Sequence, residues 1–306
     1  MQIYLPIAEM SVNIFLLLGI GGGVGWLSGL FGVGGGFLMT PLLIFLGVAP
    51  AVAVGTGANQ IVASSVSGVI AHWRRGNVDV KMGAYLILGG TVGSGLGVLV
   101  FRWLRSLGQV DLAISLSYIT FLGIIGGMMF VEGALSVWRA QRGTAVPSPK
   151  EGKEHWVHHL PLKVTFHKSK LHISLLLPFA VGLFIGVLAS IMGVGGGFIA
   201  IPAMVYLLRM PMQVVIGTSL FQIIFISVNA TILQAWLNQT VDIMLTLILL
   251  LGAVVGAQFG AKMGGKIKAE QTRLLLSLIV LAVCGQLAFN LMTTPEDVFS
   301  LGDIVQ

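Results

Sequence analysis

The stretch Gly32-Val33-Gly34-Gly35-Gly36-Phe37, with Pro41 behind it, returns later in the chain as Gly193-Val194-Gly195-Gly196-Gly197-Phe198 with Pro202. The agreement runs on downstream: Val54-Gly55-Thr56 matches Ile216-Gly217-Thr218, Ser65 matches Ser227, and Val78-Asp79 matches Val241-Asp242. It ends in two glycine ladders, Gly89, Gly93 and Gly97 against Gly252, Gly256 and Gly260. Glycines spaced four apart share one face of a helix, where a neighbouring backbone approaches closely. The chain is a duplicated unit, and the fold question becomes how the two copies are arranged.

Their composition excludes a water-soluble domain. Of 306 residues, 56% are hydrophobic and 9% charged, with a mean hydropathy of +0.97. Soluble proteins carry about 25% charged residues, so too little polar side chain is present to clothe a water-facing surface. Apolar segments fall at 11–30, 35–48, 51–71, 83–101 and 112–138 in the first copy, and at 173–192, 195–208, 213–235, 243–261 and 274–292 in the second. Most approach the ~20 residues that cross a hydrocarbon core. The short second member of each set reads as a half-helix or re-entrant segment behind its glycine-rich turn. The single cysteine, Cys284, precludes an internal disulfide and reads as a small buried hydrophobe. The first residues, Met1 to Pro6, show neither a basic n-region nor an Ala-x-Ala cleavage site, so no removable signal peptide is expected.

Four regions follow: a first transmembrane repeat at 11–138, a polar His-rich linker at 139–171, a second repeat at 172–292 and an acidic tail at 293–306 with Glu296, Asp297 and Asp303. The linker holds seven Lys or Arg and three prolines, and it cannot lie in hydrocarbon. Lys and Arg accumulate on the cytoplasmic side of membrane proteins. If each glycine stretch turns the chain back and the linker is cytoplasmic, only Arg102 and Arg105 of the 17 Lys and Arg fall outside. Treating each stretch as part of one span would move the Lys262 to Arg273 cluster outside. The turned-back arrangement gives each copy five segments, an odd number, so the second copy enters the membrane from the opposite face. The expected fold is an all-α polytopic membrane protein of two inverted-topology repeats of about five segments each, with glycine-rich broken or re-entrant helices. Both termini are expected outside and the linker inside, in a multi-pass protein of the cell inner membrane. The net charge of +6 is a topology signal and not one for nucleic acid.

At these residues the sequence resembles the TauE/SafE sulfite exporter family, also called the toluene sulfonate uptake permease family. The similarity covers residues 11 to 292 and includes both Gly-Val-Gly-Gly-Gly-Phe motifs, their prolines, both Val-Gly-Thr-like turns and both Val-Asp pairs. The resemblance implies secondary transport, in the direction of export, of small sulfur-containing anions such as sulfite, sulfoacetate or other sulfonates. One departure stands out: Gly57-Ala58-Asn59-Gln60 follows Thr56, where the family more often has Ser-Leu and small apolar residues. The second copy keeps Thr218-Ser219-Leu220. The extra amides point toward a more polar or bulkier ligand.

An anion that enters lipid must have its hydration replaced. A glycine-rich turn that starts a half-helix supplies unpaired backbone N–H groups, a positive dipole end and no Cβ in the way. Gly34, Gly35 and Gly36, with Gly195, Gly196 and Gly197, are therefore candidate substrate-binding positions. The polar residues of the next segment join them: Thr56, Asn59, Gln60 and Ser65 in the first copy, Thr218, Ser219, Gln222 and Asn229 in the second. Ser64, Ser67 and Ser227 belong to the same clusters. Polar groups in a bilayer either hold helices together or line a wet path, and amides are harder than hydroxyls to satisfy within their own helix.

Carboxylates are nearly missing from the deep segments, which argues against a proton relay or cation path and leaves a coupling ion, H+ or Na+, unassigned. Glu132 is the exception, one to two turns from Arg139 and read as a boundary ion pair. His155, His158, His159, His167 and His172 match no closed tetrahedral pattern, so neither a metal nor any other cofactor is expected. No His-Glu-x-x-His, Gly-x-Ser-x-Gly or deep Asp pair marks an intramembrane enzyme. The competing readings are a passive anion channel and a membrane sensor or scaffold acting through the His-rich linker.

Overall fold

The computed structural model describes residues 2–31, 34–141, 163–166, 168–169, 171–208, 210–264 and 269–293. The middle of the linker, with His155, His158 and His159, together with His167, Arg209, Lys266, Lys268 and the acidic tail from residue 294, lies outside the described residues.

Among the described residues ten helices carry the fold. The first half has α1 (Ile14–Phe31), α2 (Gly36–Phe45), α3 (Pro50–Arg74), α4 (Val80–Ser106) and α5 (Val110–Gln141). The second half has α6 (Leu176–Met192), α7 (Gly197–Pro202, continued as a π-helical turn Ala203–Leu207), α8 (Met212–Leu233, continued as a π-helical turn Gln234–Asn238), α9 (Ile243–Gly264) and α10 (Ala269–Met292). Among the described residues six helical stretches are long and apolar enough to cross a membrane, and α2, α6 and the α7 stretch are shorter apolar helices. Away from its ends a helix satisfies its backbone polar groups within itself, which is why a chain this apolar reads as a polytopic helical membrane protein.

The sequence reading did not anticipate strands. Each half opens with a short antiparallel hairpin: β1 (Gln2–Leu5) with β2 (Met10–Asn13), and β3 (Lys163–Phe166) with β4 (Leu171–Ser174). The segment expected to be apolar helix from residue 11 therefore begins as strand, and α1 starts at Ile14.

Helices pair across the halves. Along their length α1 packs on α9, α4 on α6, α5 on α10, and α3 on α8. The glycine ladders explain the two closest pairs. A Cβ on Gly89, Gly93 or Gly97 would lie 2.1, 2.0 or 2.6 Å from the carbonyl oxygens of Phe179, Leu183 and Val187. One on Gly252, Gly256 or Gly260 would lie 2.5, 2.0 or 2.0 Å from those of Leu18, Gly22 and Trp26. The partner helices answer in kind, since Gly182 and Gly186 meet the carbonyls of Leu86 and Gly90, and Gly21 and Gly25 those of Leu249 and Ala253. Without a hydrophobic driving force between helices in lipid, this backbone-to-backbone approach is what holds them.

The spacing between matched residues rises along the chain, from 161 at Gly32 and Gly193 to 162 at Thr56 and Thr218 and 163 at Asp79 and Asp242. The second half has gained one residue twice. Both intervals contain a π-helical turn, Ala203–Leu207 in the first and Gln234–Asn238 in the second. A π turn absorbs one extra residue without shifting the helix on either side, so register is kept.

Two carboxylates close the ends of these pairs. Asp79 caps α4, its Oδ1 accepting from the Met82 N–H at 3.0 Å, while its Oδ2 accepts from the Ser169 N–H and hydroxyl in the β3–β4 turn at 3.1 and 2.6 Å. Asp242 caps α9 through Leu245 N–H at 3.0 Å and accepts from the Ile7 and Ala8 N–H groups of the β1–β2 turn at 3.0 and 3.3 Å. Each hairpin is thus fastened to a helix of the other half.

Candidate substrate site

The two glycine turns meet at the centre of the bundle. Gly34 and Gly35 adopt φ of 86° and 71°, Gly195 and Gly196 of 66° and 79°, in the left-handed region where a side chain is strained. Gly35 and Gly196 are the residues immediately before α2 and α7. A Cβ on Gly34 would sit 3.2 Å from Ile61, 3.5 Å from Ser65 Oγ and 3.7 Å from Ile223. One on Gly195 would sit 2.7 Å from Ser227 Oγ and 2.9 Å from the same Ile61. Directly after the turns, Phe37 and Phe198 stack with ring centroids 4.9 Å apart and planes at 21°. The starts of two short helices, one from each half, are therefore brought side by side between α3 and α8.

The face of α3 that meets this centre carries Gly57, Gln60, Ile61, Ser64 and Ser65, three and four residues apart. Ser64 donates to the Gly34 carbonyl at 3.2 Å and to the Ile61 carbonyl at 3.1 Å. Gln60 is 0% exposed, and neither its amide oxygen nor its amide nitrogen has a hydrogen-bond partner among the described residues. The equivalent position of α8, Gln222, is also 0% exposed with both amide atoms unpartnered. Ser65 and Ser227 repeat the pattern, both buried with unpartnered hydroxyls. An unmade hydrogen bond on a buried polar group costs about 1–3 kcal/mol, so four such groups at matched positions are an expensive and symmetrical arrangement.

The other sequence-predicted positions have partners or lie apart. Thr56 Oγ1 accepts the Asp242 N–H at 3.1 Å, and Thr218 Oγ1 accepts the Asp79 N–H at 3.0 Å. The Val-Gly-Thr and Ile-Gly-Thr segments, expected as turns, lie within α3 and α8 and join each half to the cap of the other. Ser219 donates back to the Ile216 carbonyl at 2.9 Å. Asn229 spends its amide hydrogens on Ser94 Oγ and the Thr91 carbonyl, at 2.6 and 3.3 Å, tying α8 to α4. Asn59 is half-buried, on a face of α3 turned from that of Gln60. Gly36 and Gly197, the first residues of α2 and α7, are buried, and a Cβ on Gly36 would overlap Ile61 and the Val194 carbonyl.

Ile61 escaped the sequence reading although it touches both turns; its match to Ile223 in the second copy was the available signal. The buried charged side chains among the described residues are Asp79 and Asp242, both engaged as caps. Glu132 accepts a hydrogen bond from the Tyr206 hydroxyl, and His172 shares one with Thr165 at 2.9 Å. Among the described residues no group of three His, Cys, Asp or Glu is placed to hold a metal ion. What remains at the centre is a neutral set of amides, hydroxyls and helix starts, able to surround an anion with donors.

A helical bundle of membrane-crossing length with a buried polar centre between two interrupted helices is the construction of a membrane transporter. The family model for the sulfite exporter TauE/SafE matches residues 17–287, and the chain belongs to that family. It is 30% identical over 249 residues to the probable membrane transporter protein YjnA of Bacillus subtilis, covering 80% of this chain and 86% of that protein. It is 27% identical over 290 residues to the probable membrane transporter protein YunE of the same organism, covering 92% and 98%. Over a shorter stretch of 116 residues, 37% of this chain and 25% of the other, it is 30% identical to the sulfite exporter TauE/SafE family protein 1 of Arabidopsis thaliana. No solved structure matches the chain.

Proposed function

We propose that the protein is a secondary transporter that exports small organosulfur anions, sulfite, sulfoacetate or other sulfonates, by alternating access around the glycine turns, Gln60, Gln222, Ser65 and Ser227. The observation that carries this reading is the matched pair of fully buried glutamines with unpartnered amides, Gln60 one residue before the Ile61 that lies against both glycine turns and Gln222 one residue before the Ile223 that approaches Gly34. A ligand that completed those hydrogen bonds would recover a cost the protein otherwise bears alone. The two turns come one from each half, as expected of a midplane site between inverted repeats. The exchanged contacts of the ladders and of Asp79 and Asp242 support that inverted arrangement. The β3–β4 hairpin packs beside Val78 and Lys81, which supports a shared side for the linker and the α3–α4 loop, cytoplasmic by the charge rule.

The test is labelled sulfite flux in proteoliposomes, competed by sulfoacetate and other sulfonates. Saturable uptake accelerated by unlabelled sulfite inside the vesicles is expected of alternating access. Uptake that neither saturates nor responds to internal sulfite would identify a channel and sink the transporter reading.

A further inference from the structure

We infer that the central site takes its anion as a monoanion carrying a hydrogen-bond donor of its own, so that sulfite passes as hydrogensulfite and the proton travels on the substrate. This rests on the transporter reading and adds the ionisation state of the ligand to it.

Two observations carry it. The first is the charge around the site. Helices α1, α2, α6, α7 and α8 contain no Asp, Glu, His, Lys or Arg. The titratable groups on the elements packed around them stand toward helix ends, as His72 and Arg74 do on α3, Asp111 on α5 and Lys262 on α9, or are bonded elsewhere, as Tyr118 is to the Met192 carbonyl and Glu132 to Tyr206. Asp79 and Asp242 are engaged at their caps. On α4, Lys81, Arg102 and Arg105 also stand toward the helix ends, Lys81 and Arg105 bonded to the Thr165 and Asn238 carbonyls. Among the described residues no cation is on hand to offset a second negative charge, and the cost of burying charge in a poorly polarisable interior rises with its square. Helix starts and neutral donors suit one charge, not two.

The second observation is the chemistry of the orphaned atoms. Each amide offers an oxygen as well as an NH2, so whichever way round it is placed Gln60 and Gln222 each present an acceptor that has no donor. A bare sulfonate or a sulfite dianion brings acceptors only and would leave both amide oxygens unsatisfied. A ligand that combines an oxyanion with one O–H or N–H serves both kinds of atom, its hydrogen reaching one of the two amide oxygens while its oxyanion accepts from the amide NH2 groups. Hydrogensulfite and hydroxyalkanesulfonates fit this description, and the sulfate, sulfite and sulfoacetate dianions do not, so the proposed substrates narrow and sulfoacetate drops from them. The missing carboxylate relay then needs no replacement, because a proton bound to the substrate crosses without a protein acid to hand it on.

The experiment uses the full-length protein in proteoliposomes with labelled sulfite at fixed total concentration, the external pH being stepped across the range in which hydrogensulfite gives way to sulfite. Saturable uptake is expected to fall with the hydrogensulfite fraction as pH rises. Uptake of labelled isethionate, whose charge and hydroxyl do not change over that range, should stay level. Isethionate should compete on the order of tenfold better than ethanesulfonate, the same monoanion without the hydroxyl, which corresponds to one hydrogen bond. In Gln60→Met and in Gln222→Met that preference should shrink toward unity, read by competition or, where uptake is slow, by protection of the solubilised protein against thermal unfolding. Uptake that follows the dianion, sulfate competing as well as isethionate, or ethanesulfonate matching isethionate overturns the inference and leaves organosulfur transport standing. Loss of saturable uptake for every one of these anions in the wild type removes the transporter reading, and this inference with it.

Discussion

In the first half Gly89, Gly93 and Gly97 lie on the carbonyls of α6, and in the second Gly252, Gly256 and Gly260 lie on those of α1, all with a Cβ-to-oxygen approach between 2.0 and 2.6 Å. The polar helices beside them are held less strictly alike. Gly57, Ala58 and Asn59 on α3 stand opposite Ser219, Leu220 and Phe221 on α8, although Gln60 and Gln222, and Ser65 and Ser227, remain matched. Beyond those residues the halves part company: α3 ends in Arg74 and Arg75, whereas α8 ends in a π turn with Leu237 and Asn238. The crossing points are alike because backbone lies on backbone, the centre keeps four matched buried polar groups, and the ends differ.

The comparison can be broken most severely at the ladders. Gly93→Leu and Gly256→Leu should each cost more than about 4 kcal/mol, enough to abolish a monodisperse protein in detergent, because both side chains would meet carbonyl oxygen 2.0 Å away. If one were tolerated and the other not, the two helix pairs would not be equivalent. At the centre, Gln60→Leu and Gln222→Leu should each reduce sulfite flux on the order of a hundredfold, about 2.7 kcal/mol. The melting temperature should hold or rise, since each removes a buried amide with no partner. A drop in melting temperature with flux intact would show the amides to be structural.

Smaller effects sharpen the exchange between halves. Asp79→Ala should cost about 2 kcal/mol through loss of a cap and of the Ser169 bonds, and it should make the 163–174 hairpin sensitive to protease while sparing that at 2–13. Asp242→Ala should do the reverse. Smallest are Thr56→Val and Thr218→Val, each losing one acceptor for an Asp N–H and about 1 kcal/mol of stability, measured by thermal denaturation. A large flux defect without that instability would instead place the threonines against substrate.

Much of the fold was legible because apolar length and glycine spacing are local properties. The ten segments stand within a few residues of their expected limits, and the ladders lie against backbone as their spacing required. The identity of each ladder's partner was not legible, because nothing in Gly89 names Phe179. The hairpins were hidden for opposite reasons, β2 by merging with the apolar run of α1 and β3–β4 by lying at the end of a polar linker. At the centre, intramembrane amides were recognisable by type, and Gln60 and Gln222 are buried next along the chain to Ile61 and Ile223, which approach the turns. Thr56, Thr218 and Asn229 looked the same in sequence, yet their partners Asp242, Asp79 and Ser94 are distant along the chain and only folding brings them near.

The crossed fastening of the halves also bears on how the molecule is made. When α4 has been synthesised, its glycine face and Asp79 have no partners, because α6 and the β3–β4 turn are not yet translated. At ~5–20 residues per second the wait is on the order of ten seconds. Over that time a notched helix sits in lipid with its carbonyl seat empty, open to any small-residue helix passing by. The order of synthesis thus leaves the first half with an unfilled crossing face until α6 is made.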